Sequence, residues 1–250
     1  MSRPPTLDQV RAAGHMLEGR LPPTPLIHAP GLSAQSGAEV WLKCECFAPI
    51  GSFKARGALV GALQLAPEHL RRGLICASTG NHGAAMAWAA TELGARCVVV
   101  VPRNTPDIKR RNMIAAGGQV ITEGGDWGES CQIARGMAER DGLLYLEDGE
   151  DPWIMAGAGT VALEILDQRP TIDTLVVPVG GGNLIAGCGI AAKDGGRAIT
   201  LIGVQSEAAP AVTESMRQGQ IVHRPTTSFA GGIATTGPVH GGRLRFSPWG

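Results

Sequence analysis

Short β-rich runs alternate with longer helical stretches from about residue 40 to residue 217, and that alternation constrains the chain more than any other feature. The β-rich runs are Val40–Cys46, Leu74–Ser78, Arg96–Val101, Gln119–Thr122, Thr174–Val179 and Thr200–Val204. Helical periodicity covers Leu7–Glu18, Phe53–Leu65, His82–Leu93, Asp107–Ala116, Trp127–Arg140, Ala158–Leu166, Leu184–Lys193 and Ala209–Arg217. Strands of this length followed by helices imply βαβ units and a parallel sheet, hence an α/β fold. The run Cys97-Val98-Val99-Val100-Val101 has no polar face and suits a strand covered on both sides. After residue 235 neither period is visible, so that stretch reads as loop or as foreign sequence.

Composition narrows the function. The chain has 250 residues, 44% apolar and 18% charged, with 22 basic and 22 acidic side chains. That is enough apolar material for a large core, in one large domain or two lobes. Zero net charge without a basic block argues against nucleic-acid binding, which needs a positive footprint. No apolar run is long enough to span a bilayer, and Met1-Ser2-Arg3-Pro4-Pro5 starts no secretory signal. The six cysteines (Cys44, Cys46, Cys76, Cys97, Cys131, Cys188) form no C-x-x-C pair and no ligand cluster. They read as buried reduced thiols in a cytoplasmic protein.

Glycine supplies 36 residues, about twice the usual share, and only four of the 22 basic residues are lysines. Three segments use this composition for chemistry. Thr174–Val179 runs into Gly180-Gly181-Gly182-Asn183-Leu184 and then a helix, which outlines a phosphate cup: glycines bring the backbone close and the helix start offers free N–H groups. It lacks the P-loop lysine and the dinucleotide G-x-G-x-x-G spacing, and by itself also suits a plain tight βα turn. Lys54 opens a helix among small and apolar neighbours, where desolvation favours the neutral amine that a Schiff base requires. Alone, it equally suits an exposed surface lysine. Ser78, Thr79, Asn81 and His82 crowd donors at a third helix start, suited to a carboxylate or phenolate, or to ordinary capping.

Taken together, the three segments are what pyridoxal phosphate chemistry needs. With Leu42-Lys43-Cys44-Glu45, Gly51-Ser52-Phe53-Lys54-Ala55-Arg56-Gly57-Ala58, Ser78-Thr79-Gly80-Asn81-His82-Gly83, Ala156-Gly157-Ala158-Gly159-Thr160 and Gly180-Gly181-Gly182-Asn183-Leu184 in this order, the chain resembles fold-type II pyridoxal phosphate enzymes of the threonine/serine dehydratase and serine racemase family. The resemblance covers about residues 5 to 235. It implies a tryptophan synthase β-like architecture of two lobes, each an open, mostly parallel sheet covered by helices. Residues 1–47 and 143–250 would form the large phosphate-binding lobe and residues 48–142 the small one. It implies pyridoxal 5′-phosphate as cofactor, Lys54 as the Schiff-base lysine and Phe53 against the cofactor ring. Asn81 would meet the ring oxygen, and Gly180, Gly181, Gly182, Asn183 and Leu184 the phosphate. Ser78, Asn81 and His82 would take the substrate carboxylate.

Departures from the family pattern sharpen the expectation. Asn183 replaces a fourth glycine. Thr79 stands where racemases of the family carry a serine that serves as a second base. Gln205 and Ala211 stand where metal-activated members carry carboxylates, so no divalent-cation site is expected. The family runs some 70 or more residues further, with a motif contacting the pyridine nitrogen that nothing here matches. The large lobe is therefore expected to be incomplete, with an exposed sheet edge and apolar face.

The expected activity is dehydration and deamination of L-threonine or L-serine to a 2-oxo acid and ammonia. Rivals within the family are an amino-acid racemase and a dehydratase of another hydroxyamino acid such as 3-hydroxyaspartate. From another class comes a non-catalytic cofactor-binding fragment. The resemblance implies a small amino-acid substrate, no membrane partner, and a homodimer when the fold is complete.

Overall fold

The computed structural model describes residues 3–149, 151–192, 196 and 198–238. Residues 239–250 of the unpatterned tail lie outside the described residues. Helix α1 (Leu7–Leu17) starts in a reciprocal cap, Thr6 accepting from the Gln9 N–H while the Gln9 side chain accepts from that of Thr6. A small antiparallel pair follows, β1 (Leu26–His28) and β2 (Trp41–Lys43), with α2 (Pro30–Ser36) between them.

Next come α3 (Lys54–Leu63), α4 (Pro67–Arg72), β3 (Leu74–Ala77), α5 (Asn81–Glu92), β4 (Cys97–Val101), α6 (Asp107–Ala115), β5 (Gln119–Thr122), α7 (Trp127–Asp141) and β6 (Leu144–Tyr145). Strands β5, β4, β3 and β6 form one parallel sheet in that order. Every residue of β3 and β4 is buried, as expected of the valine run. The sheet thus reaches Tyr145, a strand that lacked a readable pattern because it is two residues long.

The remaining elements are α8 (Pro152–Gln168), β7 (Thr174–Pro178), α9 (Asn183–Ala192), β8 (Thr200–Val204) and α10 (Ala211–Gln218). Strands β7 and β8 pair in parallel. Leu175 and Val177 face the core, while Val176, Ile202 and Val204 lie exposed. The main core is continuous from Val10 on α1 through Leu59 and Met86 to Cys188 on α9. Among the described residues no helix is long and apolar enough to cross a membrane.

Two expectations need correction. The strand starting near Val40 ends at Lys43, and Glu45–Phe47 is a 3-10 turn. The Glu45 carboxylate turns inward to accept from the Arg56 Nε and Nη2 at 2.8 and 2.9 Å, which forces the chain out of the extended form. Cys46 is consequently exposed and Cys44 half-buried, not buried thiols on one strand face; the other four cysteines are buried. Helix α8 begins six residues earlier than its periodicity indicated, because Asp151 caps the Trp153 N–H at 2.7 Å and Pro152 suits the first turn.

Glycines set the spacing of three helices. A Cβ at Gly57 on α3 would lie 2.5 Å from the Ile154 carbonyl oxygen on α8, and one at Gly157 would lie 2.7 Å from the Gly57 Cα. On the other flank of α8, a Cβ at Gly187 on α9 would lie 2.7 Å from the Gly159 nitrogen. Helix α8 is therefore held backbone to backbone between α3 and α9. Those two helices start at Lys54 and at the glycine turn.

Candidate active site

Lys54 is the first residue of α3, entered through a strained turn. Ile50 has φ +59°, a left-handed conformation that β-branched residues avoid, and Gly51 follows at φ +67°. The amine of Lys54 lies 5.1 Å from the centre of the Phe53 ring and pairs with the Asp148 carboxylate. The sequence pattern pointed to an apolar setting for this amine; the structure sets an anion against it. Asp148 was missed because it belongs to no motif and sits in an irregular stretch between β6 and α8. Its other oxygen accepts from Asn183 Nδ2 at 2.9 Å, so one carboxylate links the start of α3 to the start of α9.

Lys54, Asp148 and Asn183 line one cleft with Phe53, His82 and Ala158. Burial alone would raise the Asp148 carboxyl. The Lys54 charge beside it, with the hydrogen bonds from Lys54 and Asn183, brings it down to about 2. Burial pushes the His82 imidazole below its ordinary value.

The glycine turn lies where the strand-to-helix pattern placed it. Strand β7 ends at Pro178, Gly182 has φ +105°, and α9 starts at Asn183. Its first N–H groups lack partners within the helix, an arrangement that suits an anion with the dipole behind it. Leu184 packs its side chain on the core, so only its backbone faces the turn. A Cβ at Gly180 would lie 3.1 Å from the Ile233 Cα, so the loop at Ile233 closes tightly over the turn. Gln205 supports the same loop: its Oε1 accepts from the Thr213 N–H and hydroxyl at 2.9 and 2.8 Å, and its Nε2 donates to the Gly180 carbonyl at 3.4 Å.

The third segment divides. His82 is buried and reaches the cleft. Ser78 is buried, but its Oγ accepts from the Gly80 and Gly83 N–H groups at 3.1 and 2.9 Å, capping α5. Thr79 and Asn81 are exposed and do not line the cleft.

An α/β chain with parallel sheets, a lysine amine at one helix start and a glycine anion turn at another has the layout of an enzyme built on a phosphate-bearing aldehyde cofactor. The chain belongs to the pyridoxal-phosphate dependent enzyme family, whose pattern matches residues 17–245. It is 36% identical over 236 residues to an L-threonine ammonia-lyase of Thermotoga maritima, covering 93% of this chain and 58% of that protein. A serine racemase of Arabidopsis thaliana is 36% identical over 205 residues, 82% of this chain and 62% of the relative. The solved structure of maize serine racemase superposes with a TM-score of 0.90 at 32% identity, over 93% of this chain and 71% of that one. The chain thus spans under two thirds of the length of these curated relatives. The fold is that of the fold-type II enzymes, as the motifs implied.

The residues present fit pyridoxal phosphate. Two buried polar atoms in the cleft, His82 Nε2 and Asn183 Oδ1, have no hydrogen-bond partner, and Phe53 offers an aromatic wall. Unsatisfied buried groups of this kind are rare in folded proteins, and these two face the same cleft as the Lys54 amine.

Proposed function

We propose that the chain acts as a dehydratase (ammonia-lyase) on L-threonine or L-serine, with Lys54 as the lysine that binds the cofactor. One observation carries the reading. Asp148 ties Lys54 to Asn183, placing a reactive amine and a helix-start anion site on one cleft. Relatives named as threonine ammonia-lyases support the choice of reaction.

Pyridoxal phosphate, when bound, supplies the electron sink that makes the α-proton removable. The chain's residues do the rest. The glycine turn and the backbone N–H groups at Asn183 and Leu184 hold the phosphate, and the Phe53 ring packs against the cofactor. Lys54 Nζ would be the group that takes the α-proton. His82, buried at the start of α5 and reaching the cleft, is left to take the substrate carboxylate, since Asn81 lies exposed outside that cleft. The Ser78 hydroxyl shapes that loop through its bonds to Gly80 and Gly83. The lobe division expected, 1–47 with 143–250 and 48–142, is proposed with its second boundary moved past Tyr145, because β6 pairs with β3.

A racemase is the second reading, favoured by the serine racemases among the relatives. Its expected second base, Thr79, is exposed and lies outside the cleft, which counts against this reading.

The deciding experiment supplies pyridoxal phosphate and follows 2-oxo acid release from L-threonine and L-serine, with chiral analysis of remaining serine. Oxo-acid release supports the dehydratase, D-serine without oxo acid supports the racemase, and neither product overturns both. Borohydride should fix the cofactor to Lys54; an adduct on Lys43, Lys109 or Lys193 refutes the site.

A further inference from the structure

Among the residues lining the cleft, Lys54 and Asp148 carry the only pair of opposite charges, and their side chains are 18% and 19% exposed. One Asp148 oxygen meets the Lys54 amine. The other accepts from Asn183 Nδ2 at 2.9 Å, and Asn183 is itself buried. The carboxylate is thus fixed against Nζ from a second helix start.

The other titratable groups that feel this pair, among the described residues, are His82 on α5 and the Cys76 thiol on β3. Burial pushes the imidazole below its ordinary value. A hydrogen bond to Cys97, with burial, pushes the thiol well up. Both are neutral at neutral pH, so neither gives Lys54 a negative charge or Asp148 a positive one. Phe53 adds only the face of its ring, 5.1 Å from the amine.

A lysine that takes up an aldehyde need not lose its charge. An ammonium and an aldehyde give a protonated Schiff base and water. The C=N double bond replaces two N–H bonds, the aldehyde oxygen leaves with those two protons, and the nitrogen keeps one proton and the positive charge. Asp148 therefore has a cation beside it before and after uptake. Loss of the last proton would leave a mostly buried carboxylate unpaired, which is strongly unfavourable. An opposite charge at this range accordingly favours the protonated nitrogen. That form is also the more electrophilic one, ready for attack by an incoming amine.

We propose that Asp148 is the counter-ion of the Lys54 Schiff base, keeping the proton on that nitrogen until the substrate amine arrives. The proposal rests on the reading of Lys54 as the cofactor lysine. It adds a residue, outside every motif, that sets the protonation of the reacting nitrogen. Asn183 is the positioning residue for that carboxylate.

Asp148→Asn removes the charge but keeps the shape, and its amide oxygen can still accept from Asn183. The variant and the wild type are loaded with pyridoxal phosphate, and absorbance is followed against pH. The visible band moves to shorter wavelength when the Schiff-base nitrogen loses its proton. The midpoint of that change should fall by about 1–3 pH units in Asp148→Asn. In Asp148→Ala, sodium formate should restore the midpoint saturably and formamide should not. A merely structural Asp148 would alter yield or melting temperature and leave the midpoint in place. An unmoved midpoint, or formate and formamide acting alike, overturns the proposal.

Should neither variant fold, the wild type decides by Raman spectroscopy above neutral pH. Exchange into D2O should shift the C=N stretch, as a proton on that nitrogen requires; no shift overturns the counter-ion. The two readings fail differently. No visible band with pyridoxal phosphate refutes Lys54 as the cofactor lysine and the counter-ion with it, whereas a normal band with an unmoved midpoint refutes the counter-ion alone.

Discussion

Replacing Arg56 with methionine removes a guanidinium that holds two carboxylates beneath the start of α3. The Arg56 side chain is fully buried, and Glu45 and Glu164 are 15% and 19% exposed. Its three nitrogens donate to Glu45 at 2.8 and 2.9 Å, to Glu164 at 2.5 and 2.8 Å, and to the hydroxyls of Thr24 and Thr160 at 3.3 Å. Lys43 Nζ meets Glu164 at 2.6 Å from the far side, so the four charged groups sum to zero. Without Arg56, two mostly buried carboxylates share one ammonium. Breaking a buried pair from one side costs about 3–5 kcal/mol, which for a chain of this size is about 6–20 °C in melting midpoint. Arg56→Lys keeps the charge but cannot fork toward both carboxylates, and should fall between the wild type and Arg56→Met. Urea unfolding followed by circular dichroism measures each loss. The double variant Arg56→Met/Glu164→Met should recover part of it, because the excess negative charge is gone. A loss under about 1 kcal/mol for Arg56→Met, or strictly additive losses in the cycle, would refute the ionic account.

Other perturbations test other links. Gly187→Ala places a methyl 2.7 Å from the Gly159 nitrogen and the Met155 carbonyl oxygen, and should cost at least about 2 kcal/mol in the same unfolding assay. Ile50→Gly relieves the left-handed strain and should stabilise by up to about 1 kcal/mol; a loss would show that the Ile50 side chain contributes more than its backbone costs. The Asp148 carboxyl lies at about 2 in the folded chain and near 3.9 when unfolded, so its stabilisation is complete above about pH 4 and is lost as pH falls toward 2. Asp148→Asn should flatten unfolding free energy against pH across that window. His82 shifts downward on folding, so the unfolded chain binds its proton first and stability declines as pH drops below about 6.5. His82→Gln should remove that slope.

The strands were legible wherever they were four residues or longer, because a buried valine run or a strand-to-helix switch leaves a clear pattern; their order in the sheet was not. The two-residue β6 and the short α4 leave none. The glycine turn was legible for the same reason, since β7, the turn and α9 are contiguous in sequence. Lys54 was legible as a position but not as an environment: its partner Asp148 lies 94 residues away in the chain. Arg56 shows the limit from the other side. It reads as a motif residue, yet its burial depends on Glu45, Thr24 and Glu164 arriving from three separate segments. Cys44 and Cys46 misled because alternation described their spacing correctly while the inward pull of Glu45 had already ended the strand.

The glycine contacts on both flanks of α8 bear on how such a site can diversify. The separation between the Lys54 amine and the glycine turn is measured out by three backbones in direct touch, Gly57 on Gly157 and Gly159 on Gly187. Among side chains, Ile154 adds to that ruler where it packs on Gly57 and Gly61. Residues lining the cleft can therefore be exchanged over generations, altering which molecule is admitted, while the working distance stays fixed. The glycines themselves have no such liberty, and drift in substrate preference should leave them in place.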